Sequence, residues 1–547
     1  MPTVETKPVL IVGAGPAGLI AALSLAKLGV PVRIVEKLPA FHNATRGTGT
    51  QPRSLEIYRF LGLLDDYLRV AQPMPPFRAY KLPGGTEPLR TWTLVETPQP
   101  TPDRPLVELS TELVDFKQDA EGVTATLQKN GTEREEARVA YMIGADGAKG
   151  VTRKLMGATF EGRTVEGDGQ VWADVELEGL SPDVSNTVSS HPAGFLKYFG
   201  QQQFWHVWFQ PGFIVLIRQI GDPGRFYVGI IGRHFDPVPL TEPDKFVEYI
   251  YENIQRRDLK FKKFIAVTYW KPKMRRVNKL RSGRVFIVGD AAHIHSPTGG
   301  QGLNTSIQDS FNIAWKLSLV YKGLASSDLL DSVDSERLPV IAQMLATTTA
   351  LYDRVMADKE AYTATLGWHD PSLAQLDVNY RWSPIVYDAR GYEGLDDAGL
   401  KARAYVGYPG QPVHAGDRAP DAPGLVDASG QKTQLHEIFK PTVHTFLVFS
   451  SEAQAGEAEN IGSIIKTVRT LPEGTFQIVL LARGSGPHLQ GEGIASYTDT
   501  EGHAFGTYGI DVAKVAVVAV RPDSYVGAFV YDEAGLRMYF SRVFSNA

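Results

Sequence analysis

Val9-Leu10-Ile11-Val12-Gly13-Ala14-Gly15-Pro16-Ala17-Gly18 decides how the rest of this chain is read. Four consecutive apolar residues suit a parallel strand buried on both faces. Gly13, Gly15 and Gly18 follow at the spacing of a dinucleotide-binding turn. The first permits the tight turn, the second lets backbone approach a pyrophosphate, and the third lets a helix pack on the strand. Gly13, Ala14, Gly15, Pro16, Ala17 and Gly18 are therefore the predicted cofactor turn, with the pyrophosphate at the positive end of a helix. Leu19, Leu23 and Ala26 recur at one-face helical spacing, and Gly29 supplies a stop. A second apolar run, Val30 to Val35, ends at Glu36-Lys37, where Glu36 is placed to accept ribose hydroxyls. A glycine-rich turn without a ligand would not need strand, turn, helix, strand and acid in this order. The order does not distinguish FAD from NAD.

Further stretches narrow the choice. Gly144-Ala145-Asp146-Gly147 is followed by Arg153, and Val285-Phe286-Ile287-Val288-Gly289-Asp290 reads as a strand ending in Gly-Asp. Pro297-Thr298-Gly299-Gly300-Gln301-Gly302-Leu303-Asn304 is a glycine-dense loop. It leads into a helix with apolar positions Ile307, Phe311, Ala314 and Trp315. With these motifs in this order, the chain resembles the class A flavoprotein monooxygenases, the group containing para-hydroxybenzoate hydroxylase and phenol hydroxylase. The Leu329-Leu330-Asp331 to Glu336-Arg337-Leu338-Pro339 stretch continues the likeness.

The resemblance implies an α/β and α+β fold. A Rossmann-like FAD-binding domain would carry an inserted substrate-binding β-sheet domain and be followed by a thioredoxin-like domain. It implies FAD as cofactor, with NADPH or NADH as a transient co-substrate. Reduced flavin and dioxygen would form a C4a-hydroperoxide that hydroxylates a phenolic ring. The cofactor-binding set carried over is the opening turn with Glu36 and Lys37, then Arg46, Thr48, Asp146, Gly289 and Asp290. Pro297, Gly300, Gln301, Gly302, Leu303 and Asn304 complete it. Asp290 would take a ribityl hydroxyl, and the helix N-terminus would face negative charge on reduced flavin.

At 547 residues the chain is long enough for several cores, three by its pattern. Residues 1–160 and 281–360 are assigned to the FAD-binding domain, 161–280 to the substrate sheet, 361–411 to a connector, and 412–547 to the thioredoxin-like domain. The substrate sheet is predicted from runs at Gln170–Glu178, Phe204–Phe209, Phe213–Arg218 and Phe226–Ile231. The last domain is predicted from Phe446–Phe449, Phe476–Leu481, Val515–Val520 and Val526–Tyr531. Its likeness to the phenol hydroxylase C-terminal domain rests on Tyr508-Gly509-Ile510 and Arg521-Pro522-Asp523-Ser524-Tyr525-Val526-Gly527. The chain has no cysteine, so dithiol exchange is excluded and the domain is expected to serve packing and a homodimer. A net charge of −5, from 56 basic and 61 acidic residues, gives no case for nucleic acid. Without a leader-like or membrane-spanning run, a cytoplasmic setting is expected, and the histidines show no metal spacing.

The resemblance also supplies catalytic candidates. Arg218 and Tyr227 are similar to the arginine and tyrosine that para-hydroxybenzoate hydroxylase uses on its substrate. Arg218 would hold a carboxylate or phenolate, and Tyr227 would relay a proton. Both are equally compatible with ordinary strand residues. Pro297 would present a carbonyl near the flavin. His206, Tyr198 and Trp270 are further pocket candidates, although lone aromatics on strands are more often core. Two departures stand out. Phenol hydroxylase has an aspartate near the position of Thr48, which leaves the phenol-activating base unassigned here. Relatives also carry a helix where Pro100-Thr101-Pro102-Asp103-Arg104-Pro105-Leu106 runs straight into Val107-Glu108-Leu109. A missing block of roughly two dozen residues, a helix with its turns, implies weakened FAD retention. Alternative outcomes of the same flavin chemistry are oxidative decarboxylation, dearomatisation or epoxidation of a secondary metabolite. An inactive assembly protein is the alternative of another class.

Overall fold

The computed structural model describes residues 7–41, 49–71, 77–80, 84, 88–92, 107–180, 205–210, 212–220, 224–296, 299–357, 371–450, 457–483 and 493–545. The opening strand Val9–Val12 lies inside a six-stranded sheet. Its order is Arg281–Ser282, Val285–Ile287, Tyr141–Gly144, Val9–Val12, Val32–Val35, Val107–Glu108. All neighbours are parallel except the first pair. Alternate side chains leave a strand on opposite faces. Val9, Ile11, Ile143 and Phe286 therefore face the helices Pro16–Lys27 and Gln301–Tyr321. Leu10, Val12, Met142 and Val285 face an antiparallel meander of Thr111–Gln118, Val123–Lys129 and Glu133–Val139.

The first helix forms where it was expected, and Gly29, at φ +71°, ends it. Its buried face differs from the expected one. Ala17, Ile20, Ala21, Ser24 and Leu25 are buried, whereas Leu19 and Leu23 are half-buried and Ala26 is exposed. Small alanines let this helix approach the sheet and the Gln301–Tyr321 helix closely, so side-chain size, not hydrophobicity alone, selects the face.

A seven-stranded sheet follows the order Lys260–Trp270, Gly169–Glu178, Arg225–Gly232, Phe213–Gln219, Trp205–Gln210, Phe77–Tyr80, Pro88–Trp92. One face packs on the helix Pro243–Ile254, through Phe246, Ile250 and Ile254 against Val171, Val215 and Val228. The other face carries Trp205, Val207 and Ile214 and meets Leu351 and Tyr352 of the helix Ser332–Ala357. This corrects the sequence-based boundaries: Phe77–Tyr80 and Pro88–Trp92 lie within 1–160 yet pair into the substrate sheet. Those short runs carry no local mark of which sheet they join.

The C-terminal part is an eight-stranded sheet in the order Tyr387–Asp388, Val526–Val530, Ala516–Val520, His444–Ser450, Phe476–Arg483, Ile494–Asp499, Leu425–Asp427, Lys432–Thr433. Parallel His444–Ser450, Phe476–Arg483 and Ile494–Asp499, with antiparallel Ala516–Val520 and Val526–Val530, make it thioredoxin-like. Tyr387–Asp388, assigned to the connector, instead adds a strand to this sheet. The expectation of three separate cores is also corrected. One buried cluster runs from Val9 and Ile11 through Ile313, Trp315 and Leu317 to Phe446, Val517 and Phe540. A second joins Ile57, Phe60, Ile307 and Phe311 to Leu447, Phe449 and Val518.

Candidate active site

The register sets Val12 beside Gly144 and Gly144 beside Ile287. The three strands therefore end side by side, and the motifs that follow them converge there. Gly13 sits at φ +103°, and a Cβ on it would lie 2.4 Å from the Ala145 carbonyl oxygen. A Cβ on Gly18 would lie 1.9 Å from the Gly13 oxygen. These two glycines are demanded by the protein itself. Gly15 is different. Its φ of −71° suits any residue, and its missing Cβ would meet nothing within 4 Å. What this glycine leaves is room at the N-terminus of the Pro16–Lys27 helix, whose first turn has no side-chain cap. Open space against uncapped N–H groups fits a pyrophosphate.

Around that cradle, Glu36 accepts hydrogen bonds from the Ala14 N–H (2.9 Å) and the Leu38 N–H (3.0 Å). A carboxylate has lone pairs to spare for ribose hydroxyls. Lys37 is exposed beside it. Asp146 accepts from the Thr152 N–H and hydroxyl through Oδ2, both at 2.9 Å. Its Oδ1 is buried with no partner among the described residues. Arg153 donates to the carbonyls of Ala148 (3.0 Å) and Ala291 (3.1 Å), so it ties the Asp-Gly loop to the Gly-Asp turn. Gly289 has φ +60° and Asp290 is exposed at its rim.

The second helix N-terminus is capped by Gly300 at φ +65°, again with no side-chain cap. Its signature side chains turn inward. Asn304 accepts from the Gln51 N–H (2.7 Å) and donates to the carbonyls of Gly49 (3.1 Å) and Gly300 (2.7 Å). Gln301 donates to Gly299 (2.6 Å) and Leu373 (3.2 Å), and it accepts from Gln375 and Tyr405, both at 2.6 Å. Both side chains thus shape the loop, leaving its backbone for a ligand. Gly302 is close-packed: a Cβ there would lie 2.8 Å from His295 Nε2. Leu303 packs on the second buried cluster. Arg46, Thr48, Tyr198 and Pro297, and the segment before Val107, lie outside the described residues.

Sequence reasoning missed Asp309, which holds this arrangement together. It accepts from the Gly289 N–H (3.2 Å), from Arg337 Nε (2.8 Å), and pairs with His293 Nε2 (2.7 Å). Its carboxyl is held below the usual range: burial pushes it up, but Arg337 and His293 outweigh that. The available signal was a polar residue between Ile307, Phe311 and Ala314 on a helix buried all round.

The seven-stranded sheet brings the substrate candidates together. Arg218 pairs in register with Trp205 on one side and Tyr227 on the other. Its guanidinium lies 5.0 Å from the Trp205 ring centroid. Burial pushes Arg218 down to about 10, and it has no hydrogen bond or ion pair among the described residues. Tyr227 stacks on Trp172 at 4.7 Å, and burial, with Asp174, pushes its phenol up. Both residues share the face bearing Trp205, Val207 and Ile214. His206 points to the other face, where it pairs with the Tyr80 hydroxyl at 2.7 Å and burial lowers it to about 4. It is therefore set apart from Arg218.

The candidate site thus has two parts: a nucleotide cradle at the strand ends, and a covered sheet face bearing Arg218, unpaired among the described residues. The FAD binding domain family matches residues 6–84 and 93–348, and the phenol hydroxylase C-terminal dimerisation domain matches 431–547. The chain belongs to the FAD binding domain family, among the flavin-dependent aromatic monooxygenases. It is 28% identical over 565 residues to a flavin-dependent monooxygenase of Mycobacteroides abscessus, covering 98% of this chain and 99% of that one. It is also 28% identical to pentachlorophenol 4-monooxygenase of Sphingobium chlorophenolicum, over 95% of this chain and 93% of the other. Aklavinone-11 hydroxylase in complex with FAD and aklavinone has the same fold, with a TM-score of 0.74, 24% identity, and coverage of 99% and 100%.

Proposed function

We propose that this protein is an FAD- and NAD(P)H-dependent monooxygenase that hydroxylates a phenolic compound held as an anion. Arg218 carries the reading. A buried guanidinium without a protein counter-ion is costly, and an anionic ligand removes that cost. When bound, FAD supplies hydride acceptance and the activation of dioxygen. The backbone of Gly13–Gly18 and Gly300–Asn304 would hold it, with Glu36, Asp146 and Asp290 taking hydroxyls.

The chain's own residues then set the substrate up for attack. Arg218, 5.0 Å from the Trp205 ring centroid, favours the ionised form of a ring hydroxyl or anchors a ring carboxylate. In the first case it lowers the pKa of the ring hydroxyl so that the proton leaves to solvent, since a guanidinium donates and cannot itself accept it. Tyr227 stays protonated because burial and Asp174 disfavour its ionisation, so it donates a hydrogen bond to the ring oxygen. Any proton it relays enters and leaves in one exchange. Trp172 and Trp205 offer flat apolar walls to the ring. A carboxylate on Arg218 also supports oxidative decarboxylation. The C-terminal domain's family match supports a homodimer.

The test is NADPH oxidation with added FAD across phenols and hydroxybenzoates, with product mass. Gain of one oxygen atom supports the hydroxylase, and loss of carbon dioxide supports decarboxylation. No flavin uptake and no oxidation would favour an assembly role. The short connection into Val107 is expected to weaken flavin retention, so gel filtration should strip FAD to below one per chain. Full retention refutes that expectation.

A further inference from the structure

A cavity of about 540 Å³ lies outside the cradle and the Arg218 face. That volume is within the range for small-molecule sites. Thr347, Ala350, Leu351 and Arg354 line it from one face of the Ser332–Ala357 helix, at the i, i+3, i+4, i+7 spacing of neighbouring turns. Ser372, Asp377 and Arg403 add polar groups from the opposite wall.

Two of its lining residues also belong to the site already described. A Cβ on Gly299 would meet Leu373 Cδ2 at 3.3 Å and Leu351 Cδ2 at 3.5 Å. The same two leucines pack with Trp205, Val207 and Ile214 on the substrate face of the sheet. Leu351 and Leu373 are therefore a shared wall between the cavity, the glycine loop and the substrate face. The wall is also bonded to that loop: Gln301 Nε2 donates to the Leu373 carbonyl at 3.2 Å.

The polar groups suit an acid. Arg354 is exposed and has no hydrogen bond or ion pair among the described residues. Arg403 spends its Nε on the Gly407 carbonyl at 2.8 Å. Asp377 is the one acid among the described lining residues, against the two arginines Arg354 and Arg403.

We infer that this cavity is an outer chamber that takes up an amphipathic aromatic acid before it passes the Leu351–Leu373 wall to Arg218. The inference rests on the proposed function, because the same substrate class is assumed. An aromatic body meets Leu351, Leu373 and Val406, while its anionic group meets Arg354. Attraction at such a mouth raises the association rate more than the final affinity.

Stopped-flow mixing of the FAD-loaded protein with naphthoate or naphthol, followed by flavin absorbance, tests this. Ala350 is exposed, so Ala350→Trp fills the chamber without touching Arg218. It should slow association of both probes about tenfold while the dissociation constant changes much less. Arg354→Glu should slow naphthoate about fivefold, relieved by salt, and leave naphthol unchanged. Wild-type association rates in Ala350→Trp overturn the chamber and leave the function standing. If that variant does not fold, an unchanged naphthoate rate in Arg354→Glu overturns it instead. Failure of both probes to bind the wild-type protein overturns the proposed function as well.

Discussion

Arg521 and Arg218 are both taken from water, and their surroundings differ in one respect. Arg521 is fully buried and donates to Glu336 through Nη1 (2.7 Å) and Nη2 (3.0 Å), and to Asp523 through Nε (2.9 Å). Lys316 adds a bond to Glu336 at 2.7 Å, and Ser383 adds another at 2.7 Å. Every charge there has its answer within the chain. Among the described residues, Arg218 has aromatic neighbours and no paired acid. A paired buried arginine marks a place where two parts of a protein are joined. An unpaired one marks a place where the partner comes from outside.

The largest effect should come from unpairing the first arginine. Glu336→Gln leaves Arg521 with Asp523 alone and Lys316 without its acid, and should cost about 3–5 kcal/mol, seen as lost soluble yield or a steep fall in denaturant midpoint. A shift below about 1 kcal/mol would remove the contrast. Arg218→Met should do the opposite. Stability is expected to hold or rise, while KM for an anionic substrate climbs about thirtyfold, the worth of a charged hydrogen bond. Loss of stability without a change in KM would make Arg218 a structural residue.

Acid should separate the two regions further. Glu336 and Asp309 are held below the ordinary carboxylate range by neighbouring cations, against the upward push of burial. Their contribution to stability is complete above their unfolded values, about 4, and is lost as pH falls below them. Thermal melts from neutral pH to about pH 3 should show that loss, and Glu336→Gln should flatten it. At the other extreme, Arg218 titrates at about 10, so naphthoate affinity should fall as pH rises through that value. The smallest effect belongs to the half-exposed cluster of Arg33 with Glu108 and Glu135, at 2.7 and 2.6 Å. Arg33→Gln should cost no more than about 1 kcal/mol and less in salt.

The cradle was legible because backbone constraints write themselves as glycine. Gly13 and Gly18 sit where any Cβ would collide, so their spacing carries the geometry. The strands of the substrate sheet were legible from their β-rich runs, as were those of the C-terminal sheet. Asp309 was not, because its partners Gly289, His293 and Arg337 are brought together only by tertiary packing. Gln375 and Tyr405, which orient Gln301, lie 74 and 104 residues away in sequence. For Arg218 the sequence supplied the residue and a likeness. That no described acid pairs with it is visible only in three dimensions.

The loop Arg521–Tyr525 reaches across to the nucleotide side. Asp523 accepts through its backbone carbonyl from Arg53 Nη2 at 2.9 Å, and the Arg53 guanidinium lies 4.8 Å from the Tyr525 ring centroid. With two hydrophobic clusters also running through both sides, the C-terminal part is a keystone, not a pendant. A protease that nicks the chain between them would find no free-standing fragment to release. Heat should melt the two as one transition, and a gene cut at residue 411 would yield two pieces with raw apolar faces.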